Sequence, residues 1–340
     1  MTAVLAGSDF LRAPALAATQ PAGFKEWHHF VIHGPGRRIL INFSLTDEPA
    51  ATGRHHLVPR VIVIAHDDRW TGAVERFDDS AFDVSADLGE LTIGANRMTV
   101  GPDCYRVLID LPGRDIRCDL TFTPVSRPFV VNNQPVGEGR MNWLFVPRLR
   151  ANGSLHIDGR EHRIADELAY HDHNWGRFRW GDDFGWIWGT ILPRDSGDPW
   201  SMVFLQMTDR RRLHYLSQAL YVWHRDEPAA IFRHAALTTE CVGTLARGPD
   251  CTLPPPMRLV LDGAAPAVPE RFRIAAVRAD DEVHAEFRAT SYARLAQPSE
   301  VSLTRSTVLC ETNGTATVTG RIGDRQIAFA GAGVFEFLHG

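Results

Sequence analysis

Short stretches typical of β-strands, separated by turn residues, fill most of this 340-residue chain and constrain its fold more than any other feature. Turn signals recur at roughly 8–14-residue spacing, whereas apolar residues at i, i+3, i+4 and i+7 are scarce. The predicted strands include 38–45, 60–66, 105–110, 116–122, 185–192, 200–207, 218–223, 272–277, 283–288, 315–321 and 326–337. This pattern predicts antiparallel meanders folded into sandwiches or barrels.

Two tight hairpins can be placed from their turn residues. Asp158-Gly159 lies between the predicted strands 154–157 and 161–164, and an Asp-Gly pair is the strongest short hairpin signal. Pro112-Gly113 joins 105–110 to 116–122, and the second of these strands alternates apolar and polar residues. Both hairpins support an all-β chain.

The domain boundary is predicted just after the central motif, between residues 181 and 184. We expect a disordered leader over 1–20, because this stretch has small residues and no signal-peptide pattern. A first β domain over 21–182 and a second over 183–340 follow from the boundary. The proline-rich stretch 251–256 is predicted to be a loop within the second domain.

Composition and charge exclude several classes of protein. The net charge of -5 gives no basic field for nucleic acid, and no apolar run approaches the roughly 20 residues of a membrane-spanning helix. We therefore expect neither a nucleic-acid partner nor stable membrane insertion, with peripheral membrane contact left open. The five cysteines include no C-x-x-C pair, which fits a reducing cytoplasm. Lys25 is the only lysine, and nucleotide-binding glycine motifs are absent, so we expect no cofactor.

The densest chemistry lies in the central motif, 169–176. If this stretch is extended, Tyr170, Asp172 and Asn174 share one face of the strand. A phenol and an amide beside a carboxyl in an apolar pocket predict a buried, protonated Asp172, because burial raises a carboxyl pKa. Such a group is a general acid. The alternative is a structural network that ties a β-bulge or a domain junction.

The opposite face of the motif carries His171, His173 and Trp175. A His-x-His pair is common in zinc and non-haem iron sites. A third ligand could come from His28, His29 or His66, but no spacing selects among them. We therefore favour two histidines hydrogen-bonded within a polar network and assign no metal.

A second cluster opens the first predicted strand, at 25–30. Glu26 and His28 share one face of this strand, and Trp27 and His29 share the other. The cluster is a candidate pocket wall. Further aromatic rings are candidates for either core or ligand platform, and a tryptophan-rich pocket suits apolar ligands and can hold a carbocation. They are Trp143, Trp175, Trp180, Trp186 and Trp188.

These stretches resemble the carotenoid 1,2-hydratase (hydroxyneurosporene synthase) family. The same lipocalin-like superfamily includes AttH-type proteins and fungal lipocalin-like Diels–Alderases. The residues that carry the resemblance are Glu26-Trp27, Trp143-Leu144-Phe145-Val146-Pro147-Arg148, Gly153-Ser154-Leu155, Asp158-Gly159-Arg160, Tyr170-His171-Asp172-His173-Asn174-Trp175-Gly176 and Gly333-Val334-Phe335-Glu336-Phe337. The resemblance covers most of the chain in order.

The resemblance implies two lipocalin-like antiparallel β-barrel or sandwich domains packed side by side, with an apolar cavity near their junction. It also implies cofactor-free hydration or cyclisation of isoprenoid or polyene substrates, with Asp172 as proton donor. The neighbours carried over with Asp172 are Tyr170, His171, His173, Asn174 and Trp175. His28-His29 stands where hydratases of this family have further aromatic residues, which suggests a smaller or more polar ligand.

We expect a cofactor-independent hydratase or cyclase that protonates a hydrophobic alkene, most simply a terpenoid. Asp172 donates the proton, Tyr170 supports it, and His28 or His171 deprotonates the incoming nucleophile. The predicted substrate-binding residues are Glu26, Trp27, Trp143, His173, Asn174, Trp175, Trp186 and Trp188. The alternatives are a pericyclic, Diels–Alderase-like cyclase that folds a polyene and a lipid-binding protein without chemistry.

Overall fold

The structure of the chain, a computed structural model, describes residues 5–16, 22–49, 55–180, 183–210, 212–245, 268–300, 302 and 305–339. The predicted loop 251–256 and residues 181–182 at the predicted domain boundary lie outside the described residues. The chain divides into two compact units, Met1–Phe178 and Arg179–Gly340. Among the described residues, no helix is long and apolar enough to cross a membrane.

The first unit begins with two short helices and continues as one antiparallel sheet. The helices are α1 (Leu5–Ser8) and α2 (Ala13–Leu16), with 3₁₀ turns at Asp79–Ala81 and Pro112–Arg114. The strands are β1 (Phe24–Gly34), β2 (Arg37–Pro49), β3 (His55–His66), β4 (Trp70–Arg76), β5 (Phe82–Val84), β6 (Glu90–Ile93), β7 (Asn96–Val100), β8 (Tyr105–Leu111), β9 (Ile116–Pro124), β10 (Phe129–Val136), β11 (Gly139–Ile157) and β12 (Arg160–Arg177). Their order is β4-β3-β2-β1-β12-β11-β9-β8-β7-β6-β5, and β10 pairs with β11.

The second unit is also one antiparallel sheet, with a 3₁₀ turn at His234–Ala236. Its strands are β13 (Gly185–Pro193), β14 (Trp200–Thr208), β15 (Tyr215–His224), β16 (Glu227–Arg233), β17 (Leu237–Val242), β18 (Arg271–Arg278), β19 (Asp281–Pro298), β20 (Ser306–Ile322) and β21 (Arg325–His339). Their order is β16-β15-β14-β13-β21-β20-β19-β18-β17. Every strand predicted from the sequence lies within an observed one, and the all-β prediction is confirmed.

Alternation of side chains explains why these stretches form strands. In β8, Tyr105, Val107 and Ile109 are buried in the core of the first unit, whereas Arg106 and Asp110 are exposed. Burial of each large apolar side chain contributes about 1.5–3 kcal/mol, so a shift of one residue in register would be costly. At the predicted hairpin turn, Asp158 and Gly159 both have positive φ, 53° and 70°, as a tight hairpin turn requires.

The prediction of a disordered leader is wrong for residues 5–16. They form α1 and α2, and Asp9 and Leu11 between them are fully buried. The Leu11 amide donates a hydrogen bond to the Leu88 carbonyl at 2.9 Å. The contacts that order this segment are made with residues far along the chain. No local sequence pattern therefore reveals its structure. Residues 1–4 and 17–20 lie outside the described part of the chain.

The central motif lies in β12, in the interior of the first sheet between β1 and β11. Asp172 is paired with His29 of β1 and with Phe145 of β11. Asn174 is paired with Trp27 and Trp143 on the same two strands. Paired residues of antiparallel strands point to the same face, so this register determines which side chains can meet.

Candidate functional site

The side chains of β12 divide between the two faces of the sheet as the alternation predicts. Tyr170, Asp172 and Asn174 contact one another on one face. His171 and His173 contact Asp9 on the other face, where the core of the first unit lies. We call the first set, with the paired residues of β1 and β11, the Asp172 face. The second set, together with Glu26 and His28, is the Asp9 cluster.

On the Asp172 face, both carboxylate oxygens of Asp172 accept hydrogen bonds from buried donors. The Tyr170 hydroxyl donates to Oδ2 at 2.9 Å, and the Asn174 amide donates to Oδ1 at 2.7 Å. Asp172 is only 5% exposed. A carboxyl held in this way has a fixed orientation and two donors that stabilise its ionised form.

Aromatic residues occupy neighbouring positions on the same face of the sheet. Phe145, the register partner of Asp172, is fully buried, and its ring lies 4.4 Å from the ring of Trp143. Trp27 occupies the register position opposite Asn174 and packs edge-on against Phe178 at 6.0 Å. The structure therefore brings the predicted residues Trp27 and Trp143 to the same face as the predicted acid.

His29 is a residue of the Asp172 face that the sequence-based site left out. It is the register partner of Asp172 and is 6% exposed. Burial, with a smaller effect of His171, lowers the pKa of His29 to about 3. The ring is therefore neutral at physiological pH. Only the register of β1 against β12 reveals the pairing, and the sequence does not show that register.

The Asp9 cluster is a fully buried network centred on one carboxylate. Asp9 accepts a hydrogen bond from the Tyr105 hydroxyl at 2.8 Å and contacts His171 Nε2 at 3.0 Å and His173 Nδ1 at 2.6 Å. His173 Nε2 in turn contacts Glu26 Oε1 at 2.8 Å. No sequence pattern points to Asp9, because it is an isolated aspartate more than 160 residues from its histidine partners.

Glu26 connects the cluster to the N-terminal segment. Its two oxygens accept hydrogen bonds from the backbone amides of Arg12 at 2.6 Å and Ala13 at 2.7 Å. The Arg12 guanidinium lies over the Trp175 ring, 4.6 Å from its centroid. These contacts, together with those of Asp9, hold α1, α2 and the residues between them against the sheet.

Opposite charges perturb the ionisation of the cluster. Burial alone would raise the pKa of Asp9, but the charge of His173 and the close contacts with both histidine rings hold it well below its ordinary value. Burial disfavours a charged His173, yet Asp9 and Glu26 raise its pKa to about 9. Burial lowers the pKa of His28 and that of His171. His173 is therefore the cation of the network.

Several predicted site residues are thus separated from Asp172. Glu26, His28, His171, His173 and Trp175 lie on the core face of the sheet, whereas Asp172 points the other way. The prediction that His28 or His171 deprotonates a nucleophile activated beside Asp172 is wrong for this reason. Trp175 packs in the core, and its ring centroid lies 4.8 Å from that of His173. It therefore does not line the Asp172 face.

The predicted residues Trp186 and Trp188 belong to the second unit, on β13. Both are buried, and the Trp186 indole donates a hydrogen bond to Glu336 Oε2 at 3.2 Å. Glu336 is the register partner of both Trp188 and Glu311. Burial raises the pKa of Glu336 to about 7, although hydrogen bonds with Glu311 and Trp186 act in the opposite direction. The sheet of the second unit therefore holds a carboxyl that titrates near neutral pH.

A shallow surface groove lies near the hairpin of β3 and β4. Its lining residues are Arg37, Ile39, Ala65, His66, Asp67, Thr71 and His162. None of these residues belongs to the predicted site, so the groove is separate from the Asp172 face.

Two triads of the first unit have ligand atoms within 4.8 Å of one another and could hold a metal ion. One consists of Asp9, His28 and His171, and the other of Glu26, His28 and His173. Both are fully buried and share His28. The sequence-based hypothesis has His171 and His173 bind one ion together, whereas each triad combines only one of these two histidines with His28 and a carboxylate.

The two sheets define an all-β protein of two lipocalin-like units. Solved structures with this fold include a protein assigned as AttH from Nitrosomonas europaea, with a TM-score of 0.64 and 13% identity over 97% of both chains. CghA with Sch210972 has a TM-score of 0.61 and 13% identity over 94% of this chain and 89% of CghA. Kievitone hydratase from Nectria haematococca has a TM-score of 0.58 and 13% identity over 100% of this chain and 96% of the hydratase.

At 13% identity these likenesses establish the shared fold and nothing about substrates. They confirm the fold of the AttH-like, lipocalin-like superfamily that the sequence motifs suggested. No family model matches the sequence, and no curated protein matches it significantly.

Proposed function

We propose that the chain is an enzyme that protonates a carbon–carbon double bond of a hydrophobic alkene, such as a terpenoid or another isoprenoid, with Asp172 as the acid. The observation that carries the proposal is a buried carboxyl with two hydrogen-bond donors on a sheet face lined with aromatic rings. The name of one structure with this fold, kievitone hydratase, is consistent with hydration chemistry.

In the proposed reaction, Asp172 begins protonated, the form that burial favours, and its proton adds to the less substituted carbon of a trisubstituted alkene. The π electrons form the new C–H bond, and the other carbon becomes a tertiary cation. The Tyr170 hydroxyl and the Asn174 amide stabilise the Asp172 carboxylate that remains. The rings of Trp27 and Trp143 offer π faces to the cation.

Capture of the cation completes the reaction. Water gives a tertiary alcohol, and an internal alkene or hydroxyl gives a ring. His29, the register partner of Asp172, accepts the proton that the nucleophile loses. Transfer of this proton back to the Asp172 carboxylate restores the starting state. No redox change occurs, and the substrate, water and the protein supply every proton.

A panel of terpenoid and polyene alkenes, incubated with the full-length protein in H2¹⁸O, tests this proposal. Hydration adds one water carrying ¹⁸O, and cation cyclisation gives an isomer of unchanged mass. Conversion that also requires Asp172 supports the proposal. Tight retention of the panel without any conversion identifies a binding protein and overturns it. Cyclisation of a polyene at an undiminished rate in Asp172→Asn identifies pericyclic catalysis and overturns it as well.

A further inference from the structure

His28 is the anomalous residue of the Asp9 cluster. It is fully buried, and neither of its ring nitrogens has a hydrogen-bond partner among the described residues. Its ring stacks on His173 with centroids 3.8 Å apart and on His171 at 5.6 Å. Burial of a polar group without a hydrogen-bond partner is energetically costly. A ligand that satisfies His28 would remove this cost.

The hydrogen bonds of His171 fix the state of its ring. Nδ1 lies 3.0 Å from the His29 carbonyl oxygen, which can only accept, so Nδ1 carries a proton. A neutral His171 then presents the Nε2 lone pair to Asp9 Oδ2 at 3.0 Å, where both atoms are acceptors. The contact is favourable only if a positive charge, from a proton or a metal ion, lies between them.

Protons alone do not satisfy the cluster. If both rings carry two protons, His171 donates a hydrogen bond to Asp9, and His173 donates to Asp9 and Glu26. His28 still has no partner in that state. One divalent cation between Asp9 and His171 supplies the missing charge and also gives His28 a ligand bond. The ligand atoms of these three residues lie within 4.8 Å of one another. Two ligand atoms that each lie about 2.0–2.1 Å from a zinc ion are about 3.0–3.5 Å apart. The 3.0 Å between His171 Nε2 and Asp9 Oδ2 falls within this range.

We propose that Asp9, His28 and His171 bind a divalent transition-metal ion that fastens the N-terminal segment to strands β1 and β12. Two imidazoles and one carboxylate are a donor set that suits zinc or ferrous iron. The full burial of all three ligands indicates a structural role, separate from the chemistry proposed for the Asp172 face.

The surroundings of these ligands match the outer shell of known metal sites. Metal-bound histidines typically donate their second ring N–H to a backbone carbonyl or carboxylate, as His171 Nδ1 does to the His29 carbonyl. Metal-bound carboxylates are themselves hydrogen-bonded, as Asp9 is by Tyr105 and His173. Each ligand orientation is therefore held by a second contact.

Zinc alone is the probe. The full-length protein is unfolded in guanidinium with a chelator, refolded with or without ZnCl2, desalted and measured by elemental analysis. We expect about one zinc per chain, a higher melting temperature with zinc, and visible d–d bands after refolding with cobalt. His28→Gln should reduce zinc affinity at least about 100-fold, more than the 10–100-fold loss typical of an outer-shell change.

His33→Gln is the matched control. His33 lies on the same strand, is buried, and also has no hydrogen-bond partner for either ring nitrogen among the described residues, but it is outside both triads. The His33→Gln variant should bind zinc with the affinity of the wild type. Two outcomes overturn the proposal. One is wild-type protein without stoichiometric zinc and without cobalt bands, a result that needs no variant to fold. The other is a folded His28→Gln variant with wild-type zinc affinity.

Discussion

His171 and Asp172 are adjacent in β12 but point to opposite faces of the sheet. His171 Nε2 contacts Asp9 at 3.0 Å on the core face, while Asp172 Oδ2 accepts a hydrogen bond from Tyr170 at 2.9 Å on the other. Single substitutions can therefore disturb one group without removing a contact of the other. This separation makes the proposed chemistry and the proposed structural role independently testable.

Tyr170→Phe should lower the free energy of unfolding by about 1–3 kcal/mol, because it removes a buried donor from Asp172 and keeps the ring volume. Urea unfolding measures the change. Tyr215→Phe, at a side chain that is 56% exposed, is the control and should have little effect. Equal effects of the two substitutions would show that the Tyr170 hydrogen bond contributes nothing specific.

Asp9→Asn should destabilise the first unit by roughly 3–5 kcal/mol, because it leaves the charge of His173 with one carboxylate instead of two. Limited proteolysis should also cut the N-terminal segment sooner, since Asp9 connects it to β12. Asp79→Asn, in an exposed 3₁₀ turn, is the comparison for denaturant unfolding and proteolysis. An Asp9→Asn protein as stable and protease-resistant as this control would contradict the assigned role of Asp9.

Glu336 should make the second unit less stable as the pH rises from about 4.5 to about 7. Its pKa is raised from 4.5 to about 7 in the folded chain, so the folded state holds a proton that the unfolded state has lost. Within the second unit, Glu311 of β20 and Trp186 of β13 share hydrogen bonds with Glu336.

Glu336→Gln removes this titration. The free energy of unfolding of the variant, minus that of the wild type, should therefore be greater at pH 8 than at pH 5. Urea midpoints at the two pH values measure the difference. Glu282→Gln, on an exposed part of β19, should show no such trend. A constant difference between Glu336→Gln and the wild type at both pH values would mean that Glu336 has an ordinary pKa.

The strands and the two faces of β12 could be predicted because both depend on local alternation, which the sequence shows directly. Asp9 could not be predicted, since its burial depends on partners brought from β8 and β12 by the fold. The pairing of His29 with Asp172 depends on strand register, which a single sequence does not reveal. The same limit applies to His28, whose position relative to Asp172 depends on the register of β1. For His171, alternation along β12 already places the ring on the face opposite Asp172, so a role for it beside Asp172 does not fit that pattern.

Proton transfer from Asp172 is tested most directly in D2O, with Asp172→Asn compared with the wild type and with Asp119→Asn, at an exposed position of β9. On an alkene that the wild type converts, wild type and Asp119→Asn should place one deuterium on the protonated carbon. A folded Asp172→Asn should be slower by at least about 100-fold, the lower end of what a general acid contributes. Folded Asp172→Asn that forms the same deuterated product at the wild-type rate would contradict the proposed role of Asp172.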